Sequence, residues 1–330
     1  MRILFITSGN SKKFKIMPFI KVQGQSLAKE GIDVKYFTIN GKGIEGYLSS
    51  GLRLKKYLKK NKFDIIHAHY TLSGWSALIG ITGTCNTPLV LSLMGSDTYG
   101  EFIDKNKIKF SSRLNTILTY LIQPFVDRII SKSKNINKFV YLKNKSHIIL
   151  NEIILNKFYP ANNSFRSELK LDNNKKYILF LGDKTNIRKN YYLAARSVQY
   201  INDPDVKLIA PYPITHIEVY KYINSVDVLL LTSFAEGSPN TIKEAMACNC
   251  PIVSTKVGDV NYLLNGLDGC YIADFDIRDL AHKIKKAINF SINYSGTKGR
   301  QRLIKLGLDS ESVAKKLITI YNQILSYDIK

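Results

Sequence analysis

Short apolar runs recur along this chain at intervals that leave room for one helix between each pair. Parallel strands buried on both faces read as such runs, and joining them needs a crossover of a dozen or more residues, so the pattern predicts strand-helix-strand units and parallel sheets. In the first half the runs are Ile3 to Thr7, Val34 to Ile39, Ile65 to His69, Leu89 to Leu93, Arg128 to Ser131 and His147 to Leu150. Residues 15 to 30, 44 to 61, 72 to 83 and 111 to 126 read as the helices between them. Residues 156 to 176, rich in Asn, Lys and Ser, have a linker composition. The alternation then restarts at Tyr177 to Gly182, Val206 to Ala210, Val226 to Leu231, Pro251 to Ser254 and Cys270 to Ile272. Val313, Leu317, Ile320 and Ile324 lie at helical spacing behind Asp309 and Ser310, which predicts a final helix with one buried face. Two such units imply a cleft between them, and open α/β sheets bind ligands outside the carboxyl ends of their strands.

A length of 330 residues suits about two domains, each able to bury a core without disulfide or metal staples. The four cysteines, at 85, 248, 250 and 270, form neither a disulfide framework nor a zinc knuckle, so reduced thiols and a cytoplasmic location are expected. The opening MRILFITSGNSKK has too short an apolar run for a signal peptide, and no later stretch reaches a spanning length. The formal charge is +22. Residues 1 to 165 hold a net +16 and residues 166 to 330 a net +6, which admits nucleic acid, an anionic membrane or anionic small substrates as partners.

The segment from Val226 to Ala247 carries the most chemistry. A buried strand ends at Ser233, a glycine turn follows, and Ser238-Pro239 reads as an N-cap and first-turn proline for a helix over 239 to 248. A helix N-terminus at the carboxyl end of a central strand favours an anion, typically a phosphate. Glu236 and Glu244 would flank that anion as acceptors for sugar and ribose hydroxyls. Their spacing alone also fits a capped surface helix with two solvated carboxylates. Upstream, Phe180-Leu-Gly182-Asp183-Lys-Thr-Asn-Ile-Arg188-Lys189 places a glycine and paired cations after another strand, which suits a diphosphate.

Glu236-Gly-Ser-Pro-Asn-Thr-Ile-Lys-Glu244-Ala, followed by Pro251-Ile-Val-Ser-Thr-Lys-Val-Gly258-Asp259, resembles the motif of the retaining GT-B glycosyltransferases of family 4, and the likeness covers nearly the whole chain. It implies two Rossmann-like doubly wound domains facing across a cleft: residues 1–160 for the acceptor, 161–308 for the nucleotide sugar, and a C-terminal helix, 309–330, returning to the first domain. The resemblance further implies retaining, metal-independent transfer of a hexose from a UDP- or GDP-linked sugar, with no cofactor beyond that co-substrate. Donor contacts would come from Gly9, Gly182, Glu236, Gly237, Ser238, Pro239, Asn240, Thr241 and Glu244. Glu236, Lys189 and Arg188 would carry the chemistry. Lys189 matches a family cation, whereas Asp183 stands where an Arg is common, leaving Arg188 as its substitute. Met94 stands where many members have His, which leaves His69 and Asp97 as the ionisable candidates there; His67 reads as core and His69 as cleft-facing.

Lys12, Lys13 and Lys15, Tyr70, and Lys56, Lys59 and Lys60 on the helix from 44 to 61 are expected to meet the acceptor or the membrane. A further basic-to-apolar stretch spans 105 to 122. Together they suggest an anionic membrane surface and a lipid-linked saccharide acceptor, as in capsule or O-antigen synthesis, with the enzyme peripheral on the inner face of the plasma membrane. Nucleic acid is a weaker partner, because the cations are mostly dispersed Lys and no DNA- or RNA-binding signature is present. A GT-B-fold sugar-nucleotide epimerase is the alternative enzyme class. The pairs Asp203/Asp205 and Asp274/Asp276 resemble metal-binding Asp-x-Asp motifs but are read as loop and helix-cap residues.

Overall fold

The computed structural model describes residues 1–11, 14–41, 43–104 and 107–327. Two compact units divide the chain: unit 1 holds Met1–Glu101, Ile108–Glu152 and the residues from Ser310 on, and unit 2 holds Phe102–Lys107 and Ile153–Asp309.

The chain opens with β1 (Arg2–Ser8), α1 (Pro18–Lys29), β2 (Asp33–Ile39), α2 (Gly43–Leu58), β3 (Ile65–His69), α3 (Thr71–Ile81), β4 (Leu89–Leu93) and the short α4 (Ser96–Tyr99). A two-stranded ribbon follows, β5 (Phe102–Asp104) with β6 (Lys107–Ile108), then α5 (Arg113–Ile122), β7 (Arg128–Ser131), α6 (Lys134–Asn137) and β8 (Ser146–Ile148). The six strands of unit 1 pair in the order β2-β1-β3-β4-β7-β8, all parallel. Because the chain moves from β1 outward to β2 and returns to β3 on the other side, the winding reverses at the β1/β3 boundary.

Unit 2 repeats this plan. Its elements are β9 (Lys176–Leu179), α7 (Tyr191–Ile201), β10 (Val206–Ile209), α8 (His216–Ile223), β11 (Val228–Leu231), α9 (Asn240–Ala247), β12 (Ile252–Thr255), α10 (Val260–Leu264), β13 (Cys270–Ala273), α11 (Ile277–Asn293) and α12 (Gly299–Lys305). The strand order is β10-β9-β11-β12-β13, again parallel, with the reversal between β9 and β11. The chain is therefore an α/β protein of two Rossmann-like units.

Alternation along the buried strands divides each core into two layers. In β1, Leu4 and Ile6 join Leu54, Leu58, Ala77 and Ile122 from α2, α3 and α5. Ile3 and Phe5 point the other way, into a cluster with Ile20 and Leu27 of α1. The remaining side of that cluster is closed by α13 (Ser310–Tyr327), through Val313, Leu317, Ile320, Tyr321 and Ile324. Each large aliphatic side chain so buried contributes roughly 1.5–3 kcal/mol before entropy is counted, so the predicted apolar stripe of the final helix completes the unit 1 core.

The boundaries differ from those read in the sequence. The chain enters unit 2 at Ile153, ahead of residue 161, because the linker-like segment is fastened to unit 2. Arg166 pairs with Asp227 at 2.9 Å and donates to the Ser225 carbonyl at 2.8 Å, while Ala161 N–H donates to Asn224 Oδ1 at 2.8 Å. Arg300 Nη1 likewise binds the Phe158 carbonyl at 2.7 Å. Its polarity serves side-chain anchoring.

Candidate functional site

The reversal between β9 and β11 brings two loops of unit 2 together at the carboxyl ends of adjacent strands. After β9 the backbone passes Gly182 and makes a 3-10 turn at Ile187–Lys189, which presents Arg188 and Lys189. Asn190, in the left-handed conformation at φ 53°, ends that turn and caps α7. The two loops are stitched by Phe234 N–H to the Arg188 carbonyl at 2.9 Å and by Thr232 Oγ1 to the Asn190 carbonyl at 2.9 Å.

Glu236 lies where these loops meet. Its Oε1 accepts from Lys189 Nζ at 2.7 Å and from Ser233 Oγ at 2.8 Å, and its Oε2 pairs with Arg188 Nη1 at 2.8 Å. Burial would raise this carboxyl, but the Lys189 and Arg188 charges outweigh burial and hold it below the usual range. Arg188 keeps a third of its side chain exposed, so this is a fixed cluster of two cations and one carboxylate with an open side. Gly182 permits the arrangement, since a Cβ there would lie 3.3 Å from Lys189 Cγ.

α9 begins at Asn240, with Pro239 in the N-cap position and no side-chain cap. The expectation that Ser238 caps this helix is corrected: its hydroxyl donates to Asp259 Oδ2 at 2.6 Å and accepts from Lys243 Nζ. Lys243 is fully buried and 3.7 Å from Asp259, an ion pair absent from the sequence reading because a lysine inside a helix looks like a solvated one. It ties the Glu236–Pro239 turn to the loop after β12, where Gly258 has φ 53° and a Cβ would meet the Gly237 carbonyl at 2.6 Å. Glu244 is buried on α9, and desolvation, partly offset by Lys243, pushes its carboxyl up to about 7. Thr241 Oγ1, in the first turn, is buried without a hydrogen-bond partner.

Residues 169–289 match the family described as Glycosyl transferases group 1, and residues 5–133 match the family Glycosyl transferase 4-like. The fold superposes on a sucrose-phosphate synthase from Thermosynechococcus elongatus with a TM-score of 0.79 at 18% identity, covering 99% of this chain and 100% of that one. Both matches are to glycosyltransferase families, one in each half of the chain, and the fold is the GT-B fold. Anabaena HepE in complex with UDP superposes with a TM-score of 0.75 at 15% identity, covering 98% of this chain and 100% of HepE. TuaC of Bacillus subtilis, named for teichuronic acid biosynthesis, is 21% identical over 226 residues, 61% of this chain and 55% of its own length. The capsular polysaccharide biosynthesis glycosyltransferase CapM of Staphylococcus aureus is 30% identical over 107 residues, 32% of this chain and 28% of CapM. The chain thus spans about half of TuaC and under a third of CapM.

In unit 1 the candidates behave differently. Asp97 is fully buried: Oδ1 accepts from Met94 N–H at 3.0 Å and Gly95 N–H at 2.8 Å, and Oδ2 from Thr71 N–H at 3.1 Å. Burial raises its carboxyl against the lowering effect of those donors. Both oxygens are committed to backbone, so the sequence-derived catalytic assignment gives way to a loop-fastening one.

His69 is not cleft-facing. It is 1% exposed, stacked on His67 with centroids 4.4 Å apart and edge-on to Phe5 at 4.5 Å, and neither ring nitrogen has a hydrogen-bond partner. The physical reason is β3, which is buried along its whole length and turns residues 65, 67 and 69 to the same side. His67 is core as expected, bonded to Tyr321 Oη and Ser92 Oγ at 2.7 Å each. Desolvation first, then nearby positive charge, lowers both imidazoles well below their ordinary value, which keeps them neutral.

Gly9 packs against β2, where a Cβ would meet Asn40 Oδ1 at 2.7 Å. Tyr70, at φ 87°, is half-buried and accepts from Asn115 Nδ2 at 3.2 Å. Lys15, Lys56, Lys59 and Lys60 are exposed, the last two just past the end of α2; Lys12, Lys13 and Lys105 lie outside the described residues. Asp276 caps α11 and Asp205 pairs with Lys175, the loop and cap duties expected of them. Among the described residues no group of three or more His, Cys, Asp or Glu is placed to hold a metal ion, and no helix is long and apolar enough to cross a membrane.

Proposed function

We propose that the protein is a glycosyltransferase that moves a hexose, with retention of anomeric configuration and without a metal, from a UDP- or GDP-linked sugar to a hydroxyl of a lipid-linked saccharide in cell-surface polysaccharide synthesis. The observation that carries the reading is the Arg188–Glu236–Lys189 cluster at the unit 2 reversal, beside the N-terminus of α9. Support for the donor comes from Anabaena HepE, whose structures hold UDP and UDP-glucose, and support for the pathway comes from the names of TuaC and CapM.

On binding, the donor diphosphate takes over the two cations that Glu236 holds. Glu236 is then released to accept hydroxyls of the sugar, and Glu244 accepts from the ribose. The anomeric C–O bond to the diphosphate breaks, the acceptor oxygen bonds to that carbon, and the hydroxyl proton ends on the departing nucleotide diphosphate. Lys189, Arg188 and the α9 N-terminus stabilise the charge growing on the leaving group, where fixed donors cost no reorganisation. Acceptor binding falls to unit 1, whose net positive charge suits an anionic membrane surface.

Thermal-shift titration with UDP, GDP and ADP tests the donor. A bound nucleotide stabilises by RT ln(1 + [L]/Kd), about 2.7 kcal/mol at a hundredfold excess over Kd. A shift for UDP or GDP that is lost in Lys189→Ala is the expected result, and an unaltered shift in that variant refutes the cluster's role.

A further inference from the structure

α5 and the 3-10 turns at its two ends carry a line of uncovered apolar side chains. Phe110 is 80% exposed, Leu114 49%, Ile117 54%, Leu121 55% and Phe125 61%. Their spacing of three or four residues puts them on one side of the rod. The other side is anchored: Thr119 and Ile122 are buried, and Thr119 Oγ1 donates to the Asp97 carbonyl at 2.6 Å. Exposed Tyr120 and Tyr141 stack beside the stripe with centroids 6.3 Å apart. A contiguous apolar stripe of this kind marks an interaction site.

The surroundings indicate what covers it. In unit 1, residues 108 to 145 include eight Lys and Arg, of which Lys132 alone is buried, and a single acidic residue, Asp127. Arg113 lies over the Phe110 ring at 5.6 Å, and Lys145 Nζ binds the carbonyls of Pro124 and Val126 at the far end of the stripe. An apolar line flanked by cations at both ends and by tyrosines along its side matches the layering of a bilayer surface: acyl chains below, phosphates level with the basic groups.

We infer that α5 lies in the interface of an anionic bilayer with the Phe110–Phe125 stripe among the acyl chains. This rests on the lipid-linked-acceptor reading and moves the point of contact: the lysines of α2 supply long-range attraction, whereas α5 supplies insertion.

The test is flotation of the full chain with phosphatidylcholine vesicles and with vesicles containing about 30% phosphatidylglycerol, a composition at which basic segments bind. The wild-type chain is expected to partition onto the anionic vesicles, and L114S/I117S/L121S to bind at least about tenfold more weakly at an unchanged melting temperature. Phe110→Trp gives a second reading, a blue-shifted emission on adding anionic vesicles, and serves even where the triple variant folds poorly. Equal binding by the triple variant with no shift at position 110 overturns the inference and leaves attraction by charge alone. Absence of vesicle binding overturns it together with the membrane location, and a wild-type dimer dissolved by the triple variant overturns it in favour of a second copy. Neither donor nor acceptor is present, so failure here is separable from failure of the transferase reading, which turns on Lys189.

Discussion

Units 1 and 2 share a strand order and a winding reversal, yet they treat charge at the carboxyl ends of their strands in opposite ways. In unit 2 two cations hold one carboxylate, and the cluster keeps an open side. In unit 1 Asp97 is sealed among backbone N–H groups, and His67 and His69 are buried and neutral. An ion pair can be exchanged for a ligand of the same sign; a carboxylate fastened to its own loop cannot be withdrawn without undoing the loop. The same topology therefore yields an open ion-pair cluster in one unit and a sealed carboxylate in the other.

The contrast breaks most visibly at Lys189. Lys189→Ala is expected to lower donor turnover by roughly 10²- to 10³-fold, the usual cost of losing one fixed donor to a developing charge, with little change in melting temperature. Asp97→Ala should do the reverse, lowering stability by about 2–3 kcal/mol because several buried N–H groups lose their acceptor, while nucleotide affinity stays the same.

Glu244 sharpens the comparison through pH. Its folded carboxyl is pushed up to about 7 from a usual 4.5, so the native state holds a proton that the unfolded chain releases between those values. Its contribution to stability therefore falls as pH rises from 4.5 to 7 and is level above. Donor affinity should move the other way, weakening by about tenfold (~1.4 kcal/mol) as pH drops from 8 to 6 and the carboxylate is lost. Equilibrium titration of Glu244→Gln should give a flat profile. The smallest effect belongs to Tyr321→Phe, which removes one buried hydrogen bond to His67 and should cost about 1 kcal/mol in a denaturant melt.

Strands were the legible part of this fold, since burial on both faces imposes an apolar run whatever the tertiary detail. The Arg188–Lys189 pair and Glu236 were legible too, each standing just after such a run. Ser238 was misread because Ser-Pro ahead of a helix is a capping signal by local rules, whereas its hydroxyl is claimed by Asp259 and Lys243, partners 21 and 5 residues away. Nothing local marks Lys243 as buried. The outward turn of α5 was equally hidden, because periodicity reveals an apolar stripe but not whether another element covers it.

The placement of α13 has a consequence in time as well as in space. Ile3, Phe5 and Leu27 are made before unit 2, but the helix that closes over them follows the whole of it. Unit 2 is continuous from Ile153 to Asp309, and its one outlying piece, Phe102–Lys107, is made before that stretch, so the unit can acquire its shape as it is synthesised. Unit 1 must wait with one face of its sheet open until Val313 to Ile324 arrive. Of the two units, the one begun first is closed second, and that waiting surface is where a nascent chain would most need a chaperone.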